Sequence, residues 1–303
     1  MKLLNKIQKI FKKKKVIQRN LRDINDTIES AIRADSLQTQ ALLSNLPITC
    51  QEKVLDHELI VSFTTFSKKI HDIHLVVESL ALQTTKANRV ILWLDEEEFS
   101  LENIPQILYR QIERGLEVKF CPNYRSYKKI IPTLDIAPEA CIITIDDDVL
   151  YRYDFIETLV NAHKKNPGVI IGHRAHEITH DGAGKVRQYK EWRYSINDSF
   201  KSHKVMLTGV EGIFYPPQSL HPDVMDIGLF SKLAPSADDL WLKVMAIKQG
   251  TLCMKSDYAP KSYALKEHRD IGLAMENIRK GGNDIQFKQL LEYYPKVRDT
   301  LSK

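Results

Sequence analysis

The chain has 303 residues, 43% hydrophobic and 27% charged, which excludes a disordered or collagenous protein and supplies a core for one large α/β domain or two smaller ones. Its formal charge is +5, yet residues 1–20 hold eight lysines and arginines and no acid, a local +8 that leaves the remainder at −3. A mildly acidic body with a basic tail excludes a nucleic-acid-binding body and predicts a localised electrostatic contact instead.

The basic segment comes first. Leu3, Ile7, Ile10, Lys14, Ile17, Leu21, Ile24, Ile28 and Ala31 alternate steps of four and three, the seam of a heptad repeat broken only at Lys14. The spacing predicts a helical arm over 1–46, stopped by Pro47, with 47–58 as a linker. Three readings of the arm stay open. Its first half lies on an anionic membrane surface, or it forms a coiled coil in a homo-oligomer, or it is a solvated helix packed on its own body. The segment lacks the apolar run and cleavage site of a signal peptide, and no stretch approaches the roughly 18 apolar residues of a membrane span. Cys50, Cys121, Cys141 and Cys253 are widely spaced, form no CxxC pair and read as reduced thiols. These features predict a cytoplasmic protein, peripheral at the inner face of the cell membrane if the arm binds lipid.

From Leu59 the texture changes. "LIVSFTTF" predicts a strand and "KKIHDIHLVVESLALQTT" a helix; "RVILWLD" predicts a second strand and "ENIPQILYRQIERG" a helix ended by Gly115. "LEVKFCP" and "ACIITID" are the third and fourth strands. This alternation predicts an α/β domain over 59–303, with a mainly parallel sheet, helices on both faces and ligands at the carboxyl ends of the strands.

The fourth strand runs straight into Asp146, Asp147 and Asp148. Strand alternation aims Asp146 and Asp148 together and Asp147 the other way. Two carboxylates suit a hexacoordinate Mg²⁺ or Mn²⁺ completed by a diphosphate and water; a solvated acidic loop is the plain alternative. His268 in "KEHRD" is a candidate third ligand, with His221 in "SLHPD" beside it, although a lone histidine is more often surface or core. Arg125, Lys128 and Lys129 precede the strand, as phosphate contacts or as a solvated basic loop.

Downstream, "GVEGIFYPP" carries Gly209, Glu211, Gly212 and Tyr215, a floor for sugars or a tight turn into an edge strand. In "PSADDLWLKVMA", Ser236 or Asp238 can cap a helix bearing Leu240, Val244 and Ile247 on one face. Asp238 and Asp239 sit at its positive end; one caps, and the other, Asp239 ahead of Asp238, is the candidate catalytic carboxylate. In "RKGGNDIQF", Asn283 and Asp284 follow a glycine pair that either ends a helix or hinges a loop over substrate. Trp192 is a sugar-stacking ring or a core residue.

In this order, "VSFTTF", "ILWLD", "VKFCPNYRSYKK" and "ITIDDDVLY" resemble a GT-A glycosyltransferase, a Rossmann-like nucleotide-sugar fold with a DxD motif. "GVEGIFYPPQSL" and "SADDLWLKVMAIKQGT" resemble bacterial enzymes that build lipopolysaccharide or capsule. The resemblance covers residues 59–294 and leaves out the arm. It implies transfer of a hexosyl or N-acetylhexosaminyl group from a nucleoside diphosphate to a glycan or lipid-linked glycan, with Mn²⁺ or Mg²⁺ as cofactor. It further implies that Thr64, Thr65 and Phe66 border the nucleoside, although the threonines equally suit a helix cap. Arg125, Lys128, Lys129 and Asp147 would join them on the donor, and Gly209, Glu211, Gly212, Asn283 and Asp284 would face the sugars. Two other functions stand beside this one. A nucleotidyltransferase shares the fold class, but "LIVSFTTF" is not followed by a glycine-rich triphosphate loop. A non-catalytic scaffold would recruit partners through the arm.

Overall fold

A computed structural model describes residues 2–258, 261–265 and 281–302, with side chains from Lys14 onward except Lys15. The candidate ligand His268 lies outside the described residues. The first half contains α1 (Lys2–Leu43), β1 (Leu59–Thr64), α2 (Ile73–Ala81), β2 (Arg89–Asp95), α3 (Gln106–Glu113) and β3 (Leu116–Cys121). Then come α4 (Ile131–Ile136), β4 (Cys141–Thr144), β5 (Val149–Leu150), α5 (Phe155–Lys165), β6 (Ile170–Gly172) and β7 (Ala175–Glu177). The rest is β8 (Val205–Leu207), β9 (Ile213–Tyr215), α6 (Ile227–Leu233), α7 (Asp238–Gln249), β10 (Cys253–Lys255), β11 (Tyr263–Ala264), α8 (Gly282–Tyr293) and α9 (Pro295–Leu301).

Among the described residues, seven strands form one sheet in the order β10-β6-β9-β4-β1-β2-β3. Every neighbouring pair is parallel except the two made by β9. The strands read as near-continuous apolar runs because both faces are covered. Leu59, Val61 and Phe63 point into one core layer with α2 and α5, and Ile60 points into the other with Trp241 of α7. The segment "GIFYPP" is therefore no edge strand: β9 lies between β4 and β6, where Phe214 and Tyr215 are buried. Trp192 is likewise a core residue, packed on Tyr189 and Phe287.

The arm is one 42-residue helix, about 63 Å long at 1.5 Å per residue. Its last third packs on the body. Leu37 and Ala41 are buried against it, Ser30 Oγ donates to the Ala264 carbonyl (2.8 Å) and Arg33 donates to the Tyr151 carbonyl (2.9 Å). Upstream, Ile17, Leu21, Ile24 and Ile28 of the heptad seam are each more than half exposed. The stretch after α1 follows the body, since the Ile48 N–H donates to the Arg114 carbonyl and the Cys50 N–H to the Ala87 carbonyl. Among the described residues, no helix is long and apolar enough to cross a membrane.

Burial sorts the two halves of α1. Leu37→Ala should lower stability by about 2–5 kcal/mol in urea unfolding, while Ile24→Ala should change it by under about 0.5 kcal/mol. Similar small effects for both would show that the helix does not dock in solution.

Candidate active site

The chain builds β1, β2 and β3 outward on one side, then returns to place β4 on the other side of β1. Such a switch point leaves a crevice at the carboxyl ends of the strands. A cavity of about 720 Å³ opens there, lined by the turn after β1, the aspartate triplet, the loop before α4, Thr208–Val210 and the start of α7.

Strand β4 stops at Thr144, and the triplet occupies the turn between β4 and β5. The Asp146 N–H donates to the buried Tyr151 hydroxyl (2.9 Å), and the Asp148 carbonyl accepts the Leu265 N–H (2.8 Å). With the ladder ended, pleat alternation no longer applies. All three aspartates border the cavity, and Asp147, expected to face away, is the most enclosed. Thr65 Oγ1 donates to its Oδ2 (2.8 Å), and Lys69 Nζ reaches both Asp147 Oδ1 (2.8 Å) and Asp148 Oδ2 (3.0 Å). Burial pushes the Asp147 carboxyl up and Lys69 opposes it; for Lys69, burial is outweighed by the two aspartates and its pKa rises.

Lys129 does the same work on the other side. Its ammonium lies 2.9 Å from Asp238 Oδ2 and 3.6 Å from Asp146 Oδ1. Burial weakens its charge, but Asp238, Asp146 and Asp239 together raise its pKa well above the ordinary lysine value. It is therefore an internal cation, not part of a solvated loop. Lys128 is buried as well, 3.8 Å from Asp95 at the end of β2. Only Arg125 remains exposed at the rim.

Neither aspartate of α7 is a cap. Ala237 holds the N-cap position without a side-chain bond, and the Ser236 N–H is tied to Gln286 Oε1 (3.0 Å). Asp238 turns to Lys129, while Asp239 Oδ2 accepts the Gly209 N–H (3.0 Å) and its Oδ1 is buried without a hydrogen-bond partner. Burial and the neighbouring Asp238 charge hold the Asp239 carboxyl up at about 7, with Lys129 and the Gly209 N–H pulling the other way. A Cβ on Gly209 would stand 2.8 Å from Lys129 Nζ and 3.3 Å from Asp239 Oδ1, so a side chain here would displace the Lys129 ammonium from its place among the carboxylates.

Other expected residues divide. Thr64, Thr65, Phe66 and Asn283 line the cavity; the Thr64 hydroxyl bonds to the Trp93 carbonyl and caps no helix. Glu211 and Gly212 are not among its walls: Gly212 (φ +86°) backs onto the Phe155 ring. Asp284 stands behind the wall, accepting the Tyr189 N–H (2.6 Å), and Gly281 and Gly282 begin α8. His221 accepts the Asp223 N–H away from the cavity. Sequence reasoning missed Lys69, Arg174, His176, Tyr189 and Tyr194, all of which line it. The one signal for Lys69 was a lysine pair directly after a strand end.

The carboxylates fit a hard cation only with help. Asp146 and Asp148 keep 25% and 35% of their side chains exposed, and each shows only one oxygen in an ion pair. No group of three or more ligating side chains stands together among the described residues, so diphosphate and water oxygens would have to complete the shell.

No family model and no curated protein matches the chain. Among solved structures, it is similar to CMP:2-keto-3-deoxy-manno-octonic acid synthetase complexed with CTP, at 12% identity and a TM-score of 0.39. That likeness covers 73% of this chain and 98% of the synthetase, and it is too distant to carry function across.

Lys129→Met leaves Asp146 and Asp238 without their cation, and should cost about 3–5 kcal/mol near neutral pH. Burial raises the Asp146 pKa, so its ionisation works against folding as pH rises. The deficit should shrink as pH falls and the Asp146 carboxyl takes up its proton. A deficit independent of pH would trace the effect to packing.

Proposed function

We propose that the protein is a metal-dependent glycosyltransferase, moving a hexosyl or N-acetylhexosaminyl group from a nucleoside diphosphate to a glycan acceptor in bacterial surface polysaccharide synthesis. The observation that carries this reading is the meeting of two carboxylate sets across Gly209. On one side stands the triplet with its two buried lysines. On the other stands Asp239, poised near neutrality with an unengaged oxygen.

Asp146 and Asp148 would hold Mn²⁺ or Mg²⁺, which when bound supplies positive charge to the departing diphosphate. Thr64, Thr65 and Phe66 would border the nucleoside, with Arg125 at the rim. Lys69 and Lys129 would keep the carboxylates oriented and share the phosphate charge. Asp239 would take the proton of the acceptor hydroxyl as its oxygen bonds to the anomeric carbon. The bond from that carbon to the diphosphate breaks, and its electron pair leaves with the diphosphate. A group titrating near the working pH suits that role. Asp238, paired with Lys129, would hold the base in place.

Thermal melting with UDP-, GDP- and CMP-sugars tests this, with and without Mn²⁺. One sugar nucleotide should stabilise the protein only with metal, and Asp148→Asn should remove the shift. With that donor, Asp239→Asn should lower kcat about 100- to 10,000-fold while the melting shift persists. The wild-type rate should climb through pH about 7, where Asp239 loses its proton. Stabilisation by a nucleoside triphosphate alone would move the assignment to a nucleotidyltransferase. No shift with any nucleotide would favour the scaffold.

We assign the basic first half of the arm to an anionic membrane surface bearing a lipid-linked acceptor. Deleting residues 2–15 spares the buried Leu37 and Ala41 and should abolish binding to phosphatidylglycerol vesicles. Undiminished binding would end this part of the proposal.

A further inference from the structure

The cavity has a second end. β6 runs parallel to β1 three strands away, roughly 14 Å across the sheet. Beyond its carboxyl end stands Arg174, and with His176, Tyr189, Tyr194 and Met206 it walls the cavity on that side. The Arg174 carbonyl accepts the Thr208 N–H (3.2 Å), which fixes the base of the side chain. Its guanidinium makes no hydrogen bond or ion pair with any described residue. Glu211 is the carboxyl that feels its charge, from beyond ion-pair distance, and Glu211 also faces Lys255. This contrasts with Lys69, Lys128 and Lys129, each of which already has a carboxylate partner.

The aromatic groups beside Arg174 form a corner. His176 and Tyr194 lie 4.4 Å apart between ring centroids, Tyr189 and Tyr194 meet edge-on at 5.8 Å, and Tyr189 packs on Trp192 behind. The Ser195 N–H donates to His176 Nδ1 (3.0 Å), which fixes the ring and leaves Nε2 as its N–H. Burial and Arg174 hold His176 down at about 4, so it is a neutral ring and Arg174 is the cation of this corner at neutral pH.

A sugar offers C–H faces that pack on aromatic rings, and a guanidinium presents a planar fork to a carboxylate or phosphate. We propose that this end is the acceptor subsite and that it takes a sugar carrying an anionic group, a carboxylate or a phosphate, against Arg174. The assignment rests on the sugar-transfer reading, since an acceptor seated here would meet Asp239 between itself and the triplet. It goes further by naming the class of acceptor.

The test is calorimetric titration of the full chain with methyl glucuronide, methyl glucoside 6-phosphate and methyl glucoside. Each is run alone and with the nucleoside diphosphate plus Mn²⁺ filling the donor end. At least one anionic glycoside should bind about ten- to a hundredfold more tightly than the neutral one; which one does so tells a uronic-acid acceptor from a phosphorylated one. Arg174→Gln should erase the preference and leave nucleoside diphosphate binding unchanged, and Arg174→Lys should keep part of it. Equal binding of all three glycosides to the wild type, a comparison that needs no variant, would overturn the proposal. So would a preference that survives in Arg174→Gln. An Arg174-dependent preference in a protein that binds no nucleotide would overturn both the acceptor role and sugar transfer; normal nucleotide binding without any preference would overturn this inference alone.

Discussion

Lys129 holds the centre of the molecule together. Its ammonium bridges the turn after β4, through Asp146, to the first residue of α7, through Asp238. Burying a charge costs several kcal/mol unless it is paired, so neither segment can be enclosed without the other in place. Lys69 applies the same constraint between the turn after β1 and the pair Asp147 and Asp148. Five carboxylates, Asp146, Asp147, Asp148, Asp238 and Asp239, thus gather around two lysines. The enclosed, low-dielectric setting, with Asp238 beside it, keeps Asp239 titrating near neutrality.

The sheet supplies the geometry for that gathering. Among the described strands of the sheet, β9 alone runs antiparallel, and it enters between β4 and β6. Its approach brings Thr208 and Gly209 along the rim where β4 and β6 also end. The triplet, α7 and Arg174 therefore meet on one edge. The long helix α1 supports the same rim from outside, because Ser30 and Arg33 hold β11 and the chain just after β5. An arm that reads as an appendage is, over its last third, part of the scaffold beneath the aspartates.

Different kinds of signal explain what was legible. Asp146 and Asp148 were readable because carboxylates directly after a buried strand are locally costly. The four strands from "LIVSFTTF" to "ACIITID" were readable because doubly covered strands are apolar throughout. Lys69 was not readable, since its partners lie far along the chain and a lysine pair in a turn ordinarily faces water. The cap of α7 was misplaced for a related reason: Ser236 and Asp238 both favour that position locally, but Gln286 and Lys129 claim them. Strand β9 looked peripheral because it is three residues long and followed by prolines.

Sequence alone determined the βα alternation, the placement of acid at a strand end and the separation of a basic arm from a mildly acidic body, because each is written in residues close together along the chain. Only the tertiary structure decided which way Asp147 points, which lysines are interior and, among the described residues, that Asp239 keeps an open oxygen and Arg174 has no hydrogen-bond or ion-pair partner. Those outcomes depend on distances between segments remote in sequence. A buried charge is governed by what faces it in space, which local pattern does not record.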